Sequence, residues 1–307
     1  MKLDRREFFR LSTAGLAVLP FAKLAAHTTQ RAAPPLKTAF TDVRRGIGCF
    51  TGRGGTIGYL INKDAVVAVD TQYPDSAKVC VDGLKQKAGR GFDLVINTHH
   101  HIDHTGGNGV FKPEAKRLVA QKGVPALQRT VAAQTPNAAE PVVADETFDD
   151  EWKAGAGDEQ LSARYYGPAH TGADAYVHFV HADVVHMGDL IWIERHPRVD
   201  RPAGASIQNW LKVVERIAKE MPAGTIYIAG HAKDGMGPTT DRAYLLRQRD
   251  YFDAVLNATR KGIAAGQSKD QVKATASLAG FESFQSSPGL SLADVLGVAF
   301  DELTAAS

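Results

Sequence analysis

The sequence predicts mixed α/β layers in one domain, and three observations carry that expectation. The chain has 307 residues, with 44% hydrophobic and 23% charged side chains. That is the composition of an ordinary globular protein, and the length buries a core without disulfide or metal staples. Short apolar runs of strand length recur between segments with helical spacing, without the regular strand–helix–strand repeat of a wound parallel sheet. One of those runs, Asp-Leu-Val-Ile-Asn at 93–97, ends directly in a cluster of histidines. Polar chemistry is thereby placed at the end of a buried strand.

Taken in order, the elements begin after a leader. Residues 1–26 open with Arg5 and Arg6, followed by Phe8, then a modest apolar run at 11–19, Pro20, Lys23 and the small pair Ala25 and Ala26. A charged start, a short apolar middle and a small-residue end describe a secretory signal, and the adjacent arginines resemble the twin-arginine type. The run is far below the roughly 20 residues that span a bilayer. The expectation is a periplasmic or secreted protein with a signal at 1–26 and a flexible lead-in at 27–38, where Pro34 and Pro35 fall. A domain at 39–240 and a helical extension at 241–307 packed on it would follow.

Within the body, β-like runs dominate residues 40–70. Those at 56–61 and 65–70 flank Asn62-Lys63-Asp64, a hairpin turn. The glycine-rich stretch 52–55 lacks the Lys-Ser/Thr ending of a phosphate loop and reads as another hairpin tip. Residues 75–88 carry a helical stripe with lysines opposite, and the buried strand 93–97 comes next. Further strands are expected at 117–120, 175–180, 183–187 and 225–229. Helices are expected at 207–220, 241–265, 271–279 and 290–305. Residues 121–160, rich in Ala, Pro, Gly, Asp and Glu, read as a loop-rich connection.

Charge and cysteine content exclude some classes. Thirty-six Lys+Arg against 34 Asp+Glu give a net charge of +2, and the excess lies in the leader. A near-neutral body argues against a nucleic-acid or membrane partner, which needs a concentrated basic field. A small-molecule substrate fits better, and the oligomeric state is open. Cys49 and Cys80 make either one disulfide or two buried thiols, and their spacing is not that of metal ligands.

The informative stretch is 97–108. It holds His99, His100, His101, Asp103 and His104, followed by Gly106 and Gly107. Imidazole and carboxylate are the usual nitrogen and oxygen ligands of zinc. His99 and His101 point the same way from an extended turn, while Asp103 and His104 can be aimed at a second point, so the segment can hold two metals. The glycines let the chain turn tightly beneath them. Four histidines and an aspartate within six residues, directly after a buried strand, argue against a chance cluster.

With those residues in view, the chain resembles the metallo-β-lactamase superfamily, whose His-x-His-x-Asp-His motif is matched by His99, His101, Asp103 and His104. The other motifs follow in order. Asp70 closes a strand and matches the acid that supports the metal loop; His170, Asp189 and His231 match the later ligands. The resemblance runs from about residue 40 to 235. It implies an α+β fold, an αββα sandwich of two mixed sheets flanked by helices. It also implies two divalent ions, zinc first, with iron or manganese as the other metals the donors accept. His99, His101 and His170 would hold one ion, Asp103, His104 and His231 the other, and Asp189 would bridge them. The implied reaction is hydrolysis of a cyclic amide or ester carbonyl by a hydroxide held between the ions, with Asp103 as the catalytic group that orients it and relays a proton.

Substrate is less legible. In the superfamily an aspartate at the bridging position is usual for lactonases and thioesterases, whereas dedicated β-lactamases carry Cys or Ser there. The lysine that some β-lactamases place three residues further on is Trp192 here. A β-lactamase-like hydrolase is the first expectation, a lactonase or glyoxalase II-like thioesterase the second, and an iron-dependent oxidoreductase the alternative of another class. His100 is expected to face away from its ligating neighbours. His178, His181 and His186 read as structural, and His196 as lying in a segment that borders the cleft.

Overall fold

The computed structural model describes residues 36–305. The expected signal at 1–26, and all of the lead-in before residue 36, lie outside the described residues. The chain forms β1 (Ala39–Arg44), β2 (Ile47–Thr51), β3 (Ile57–Ile61), β4 (Val66–Val69), α1 (Pro74–Ala88), β5 (Leu94–Asn97), the short α2 (Ile102–Thr105) and α3 (Asn108–Phe111), β6 (Leu118–Gln121), α4 (Gly123–Gln134) and β7 (Glu146–Phe148). These strands make one sheet in the order β1-β2-β3-β4-β5-β6-β7, antiparallel up to β4 and parallel from β4 onward.

The second half gives β8 (Glu151–Ala156), β9 (Glu159–Tyr165), β10 (Ala175–Phe179), β11 (Val184–His186), β12 (Trp192–Ile193), α5 (Ile207–Glu220), β13 (Ile226–Ile228), β14 (His231–Ala232), β15 (Thr239–Thr240), α6 (Arg242–Ala264), α7 (Lys269–Lys273) and α8 (Leu292–Ala305). Its sheet runs β15-β13-β11-β10-β9-β8, with β12 and β14 paired apart.

Side-chain alternation explains the layering, because successive residues of a strand face opposite sides. Along β4, Val67 and Val69 pack with Leu161, Ala163, Val177 and Val184 of the second sheet. Val66 and Ala68 pack instead with Ala77, Cys80, Val81 and Leu84 of α1. On the far side, Tyr176, Val185 and Tyr227 lie under Trp210 and Val214 of α5, Phe252 of α6 and Val295 of α8. Helix, sheet, sheet, helix: two mixed sheets flanked by helices, an α+β sandwich as expected.

Several sequence expectations need correcting. Residues 121–160 are not loop-rich: they hold α4, β7, β8 and the start of β9. The helix expected at 271–279 is the five-residue α7, which starts earlier. It begins at a capping box in which Ser268 and Gln271 satisfy each other's backbone, a signal present in the sequence. Cys49 and Cys80 are both buried free thiols.

The C-terminal helices also fix loops near the site. Glu302 of α8, 6% exposed, accepts hydrogen bonds from Ser206 Oγ at 2.6 Å and the Ile207 amide at 2.8 Å, covering the start of α5. Ser206 N in turn donates to Ala169 O, and Asp200 N to His170 O, both at 3.0 Å.

Candidate metal centre

The site forms where the loops after β4, β5, β9, β11 and β13 converge. Asp70 ends β4 with a φ of +66°, and Gln72 follows at +57°. That left-handed backbone is uncommon outside glycine and marks a bend held in place by its surroundings. The Asp70 carboxylate accepts from Thr98 N, Thr98 Oγ1 and His104 Nδ1, each at 2.8 Å. Beneath the histidine loop, Asn97 and Asn108 exchange side-chain hydrogen bonds, and Thr71 bonds both Asn108 Oδ1 and His104 O. A buried, fully paired network of this kind sets the loop's shape.

Two groups of side chains stand on that platform. In the first, His101 Nδ1 lies 3.1 Å from His99 Nε2 and 2.9 Å from His170 Nε2. In the second, His231 Nε2 lies 3.1 Å from Asp103 Oδ2 and 3.4 Å from His104 Nε2. Asp189, 2% exposed, sits between them. Its Oδ2 faces the first group, 3.3 Å from His170 Nε2 and 3.8 Å from His99 Nε2. Its Oδ1 faces the second, 3.0 Å from His104 Nε2 and 3.4 Å from His231 Nε2. All seven residues singled out from the sequence are therefore brought together, with Asp70 directly behind His104.

The nitrogens are oriented as ligands. His170 Nδ1 donates to Arg198 O and His101 Nε2 donates to Asp200 Oδ2, each at 2.8 Å. In the neutral tautomers so fixed, His170 Nε2 and His101 Nδ1 both present lone pairs. Those lone pairs confront each other at 2.9 Å, which suits a shared cation rather than a hydrogen bond. Asp189 Oδ1 is buried, and the groups nearest it are imidazole nitrogens, His104 Nε2 at 3.0 Å and His231 Nε2 at 3.4 Å. The backbone has made room: a Cβ at Gly230 would meet Asp189 Oδ1 at 2.0 Å, and one at Gly55 would meet His104 Cε1 at 2.1 Å. These features fit divalent metal ions with nitrogen and oxygen donors.

The two groups differ in charge. Burial, reinforced by the neighbouring imidazoles, holds His99 well below the usual histidine range and His170 at about 3. Burial also opposes a charge on His104 and His231, but the surrounding carboxylates outweigh it. His104 is held well above its ordinary value by Asp189, Asp103 and Asp70, and His231 rises to about 9 beside Asp189 and Asp103. Asp103 and Asp189 are correspondingly pulled down by the imidazoles against the effect of burial.

Some residues play parts the sequence did not announce. Asp200 orients His101 from 99 positions away. Trp192 stacks on His231 with centroids 4.3 Å apart and donates to Asp189 O. His100 does face away from the first group, but it is buried next to Asp200. His196 does not border a cleft: it bonds Tyr251 Oη and packs against Phe284 in the C-terminal core. His186 holds Thr56 O and the Gly188 amide, a structural role.

The sequence model of the metallo-beta-lactamase superfamily matches residues 51–231. A type 2 metallo-beta-lactamase of Elizabethkingia meningoseptica is 24% identical over 174 residues, 56% of this chain and 67% of its own length. A metallo-beta-lactamase from Pontibacter korlensis superposes with a TM-score of 0.59 at 17% identity, covering 71% of this chain and 99% of its own. The stereoselective inverting sec-alkylsulfatase from Pseudomonas sp. superposes with a TM-score of 0.68 at 14% identity, covering 86% of this chain. This chain spans half the length of that protein.

Proposed function

This chain belongs to the metallo-β-lactamase superfamily and is a metal-dependent hydrolase, and we propose that it is an exported dinuclear zinc enzyme that opens a cyclic amide or ester. The observation that carries this reading is the carboxylate of Asp189, one oxygen toward each group of imidazoles, with lone pairs facing each other beside it. His99, His101 and His170 would hold one ion, Asp103, His104 and His231 the other, and Asp189 both. When bound, two such ions supply Lewis acidity toward a carbonyl oxygen and lower the pKa of water. A donor set of imidazoles and carboxylates suits zinc and also admits iron or manganese.

The chain's own groups divide the remaining work. Asp103 has a side chain 25% exposed, against 1% for Asp189. It is the carboxylate that an entering substrate meets, and it is placed to orient water and pass a proton to the leaving group. Asp70 and Asp200 hold His104 and His101 in their tautomers. Trp192 puts an indole against His231 where a lactam-clamping lysine would stand, which favours lactones or thioesters over strong lactam turnover. The leader at 1–26 supports export through the twin-arginine route.

A sulfate ester is the second reading. The alkylsulfatase superposition covers 86% of this chain against 71% for the lactamase, and so accounts for more of it. The test is metal content by mass spectrometry on the purified protein, with a panel of a chromogenic lactam, homoserine lactones, glutathione thioesters and a secondary alkyl sulfate. Two zinc equivalents with turnover of an acyl substrate are expected. Turnover of the alkyl sulfate alone selects the second reading, and an iron-loaded protein that hydrolyses none of the four overturns both.

A further inference from the structure

His100 is a polar side chain in an apolar position. Its side chain is 1% exposed, and both ring nitrogens are buried without a hydrogen-bond partner. Leaving such a group unsatisfied costs roughly 1–3 kcal/mol, a cost that an apolar residue of similar shape would avoid. Its Nε2 lies 3.8 Å from Asp200 Oδ2, too long for a hydrogen bond. The separation instead suits two donors on one ion, because ligands at about 2.0–2.1 Å from zinc stand roughly 3.3 Å apart at a tetrahedral angle and further apart at a wider one. The His101 ring stands beside the pair, and one donor atom from each of His100, His101 and Asp200 lies within 4.8 Å of the others.

We propose that His100 and Asp200 form a third, weaker divalent-cation site beside the two pockets, walled by the His101 ring and completed by water. This inference rests on the dinuclear reading only for its effect on turnover. Asp200 can serve both partners, since an ionised carboxylate offers about four acceptor sites. Its hydrogen bond to His101 Nε2 at 2.8 Å can persist while the ion takes another lone pair. The Asp200 side chain keeps 10% of its surface exposed, and the Arg198 guanidinium 3.6 Å from it, on a side chain 57% exposed, is the group an entering ion would displace. An ion at this point draws charge from Asp200 and weakens its hold on His101. Excess metal should therefore loosen the first pocket and slow turnover.

The experiment is titration of the chelator-stripped full chain with zinc alone, read as bound equivalents by native mass spectrometry and calorimetry. The wild type is expected to take two tight equivalents and a third that is about tenfold or more weaker. His100→Phe should keep the two and lose the third, and the slowing by excess zinc should vanish with it. His100→Leu, a smaller apolar replacement, serves if phenylalanine does not fold, as judged by circular dichroism. Saturation of the wild type at two equivalents, or a third equivalent that survives in the folded variant, overturns the site. A wild type with a single equivalent that is lost in His100→Phe would instead overturn the dinuclear reading and leave this site standing.

Discussion

In the first pocket three imidazoles meet without a carboxylate of their own, whereas in the second Asp103 stands among two imidazoles. Both borrow Asp189. Burial dominates the first and keeps His99 and His170 neutral, while carboxylates dominate the second and keep His104 and His231 protonated. The difference shows that adjacent sites sharing one histidine loop can be tuned oppositely by the side chains brought in from elsewhere. The first is a set of lone pairs ready for a cation; the second is a set of ion pairs that a cation must displace. Their supports differ too: Asp70 holds the second from the same sheet, and Asp200 holds the first from a distant loop.

The shared residue gives the largest expected effect. Asp189→Ala removes the carboxylate that both pockets use, so hydrolysis should fall by more than the roughly 10–100-fold seen when a ligand loses only its outer partner. Bound metal should drop below two equivalents while the circular dichroism spectrum is kept. Near-normal turnover in that variant would refute the dinuclear mechanism.

Asp200→Asn should separate the pockets with a smaller effect. His101 loses a charged acceptor but keeps its place, so the first ion should bind roughly 10–100-fold more weakly. The second ion should be unaffected, because His104 is held by Asp70. Competition with a calibrated chelator would resolve the two affinities, and equal weakening of both would mean that the pockets are not independently supported.

How far the sequence reached follows the same physical lines. The histidine loop was legible because its residues are adjacent and follow a strand of four buried residues. α5 was legible because Ile207, Trp210, Val213, Val214 and Ile217 keep strict helical spacing. Asp200 was not, since a carboxylate 99 positions from its imidazole leaves no local pattern. α4 was missed because it buries only Val124, Pro125 and Gln128, too sparse a face to show a period, and its proline is tolerated in a first turn. β8 alternates correctly, but two of its inward residues, Ala154 and Ala156, are too small to stand out beside Trp152.

The smallest expected effect concerns protons. In the metal-free chain at pH 7, His231, with its pKa raised to about 9, and His104, raised also, both carry protons. Filling the second pocket must expel them, so its affinity should fall steadily as the pH drops below about 9. His170, lowered to about 3, and His99, held well below its ordinary value by burial, have no proton to lose at neutral pH. They make the first pocket far less sensitive. Linkage fixes the sign for the metal-free fold as well. A histidine raised above its ordinary 6.5 adds stability that is complete below that value and disappears as the pH rises through about 9. Dialysis against chelator-free buffer from pH 8 to pH 6 should therefore strip the second ion before the first. Calorimetry in two buffers of different ionisation enthalpy should show proton release for one binding step and little for the other. Equal release at both steps would mean that the charge contrast between the pockets does not survive in solution, and the two would then have to be distinguished by geometry alone.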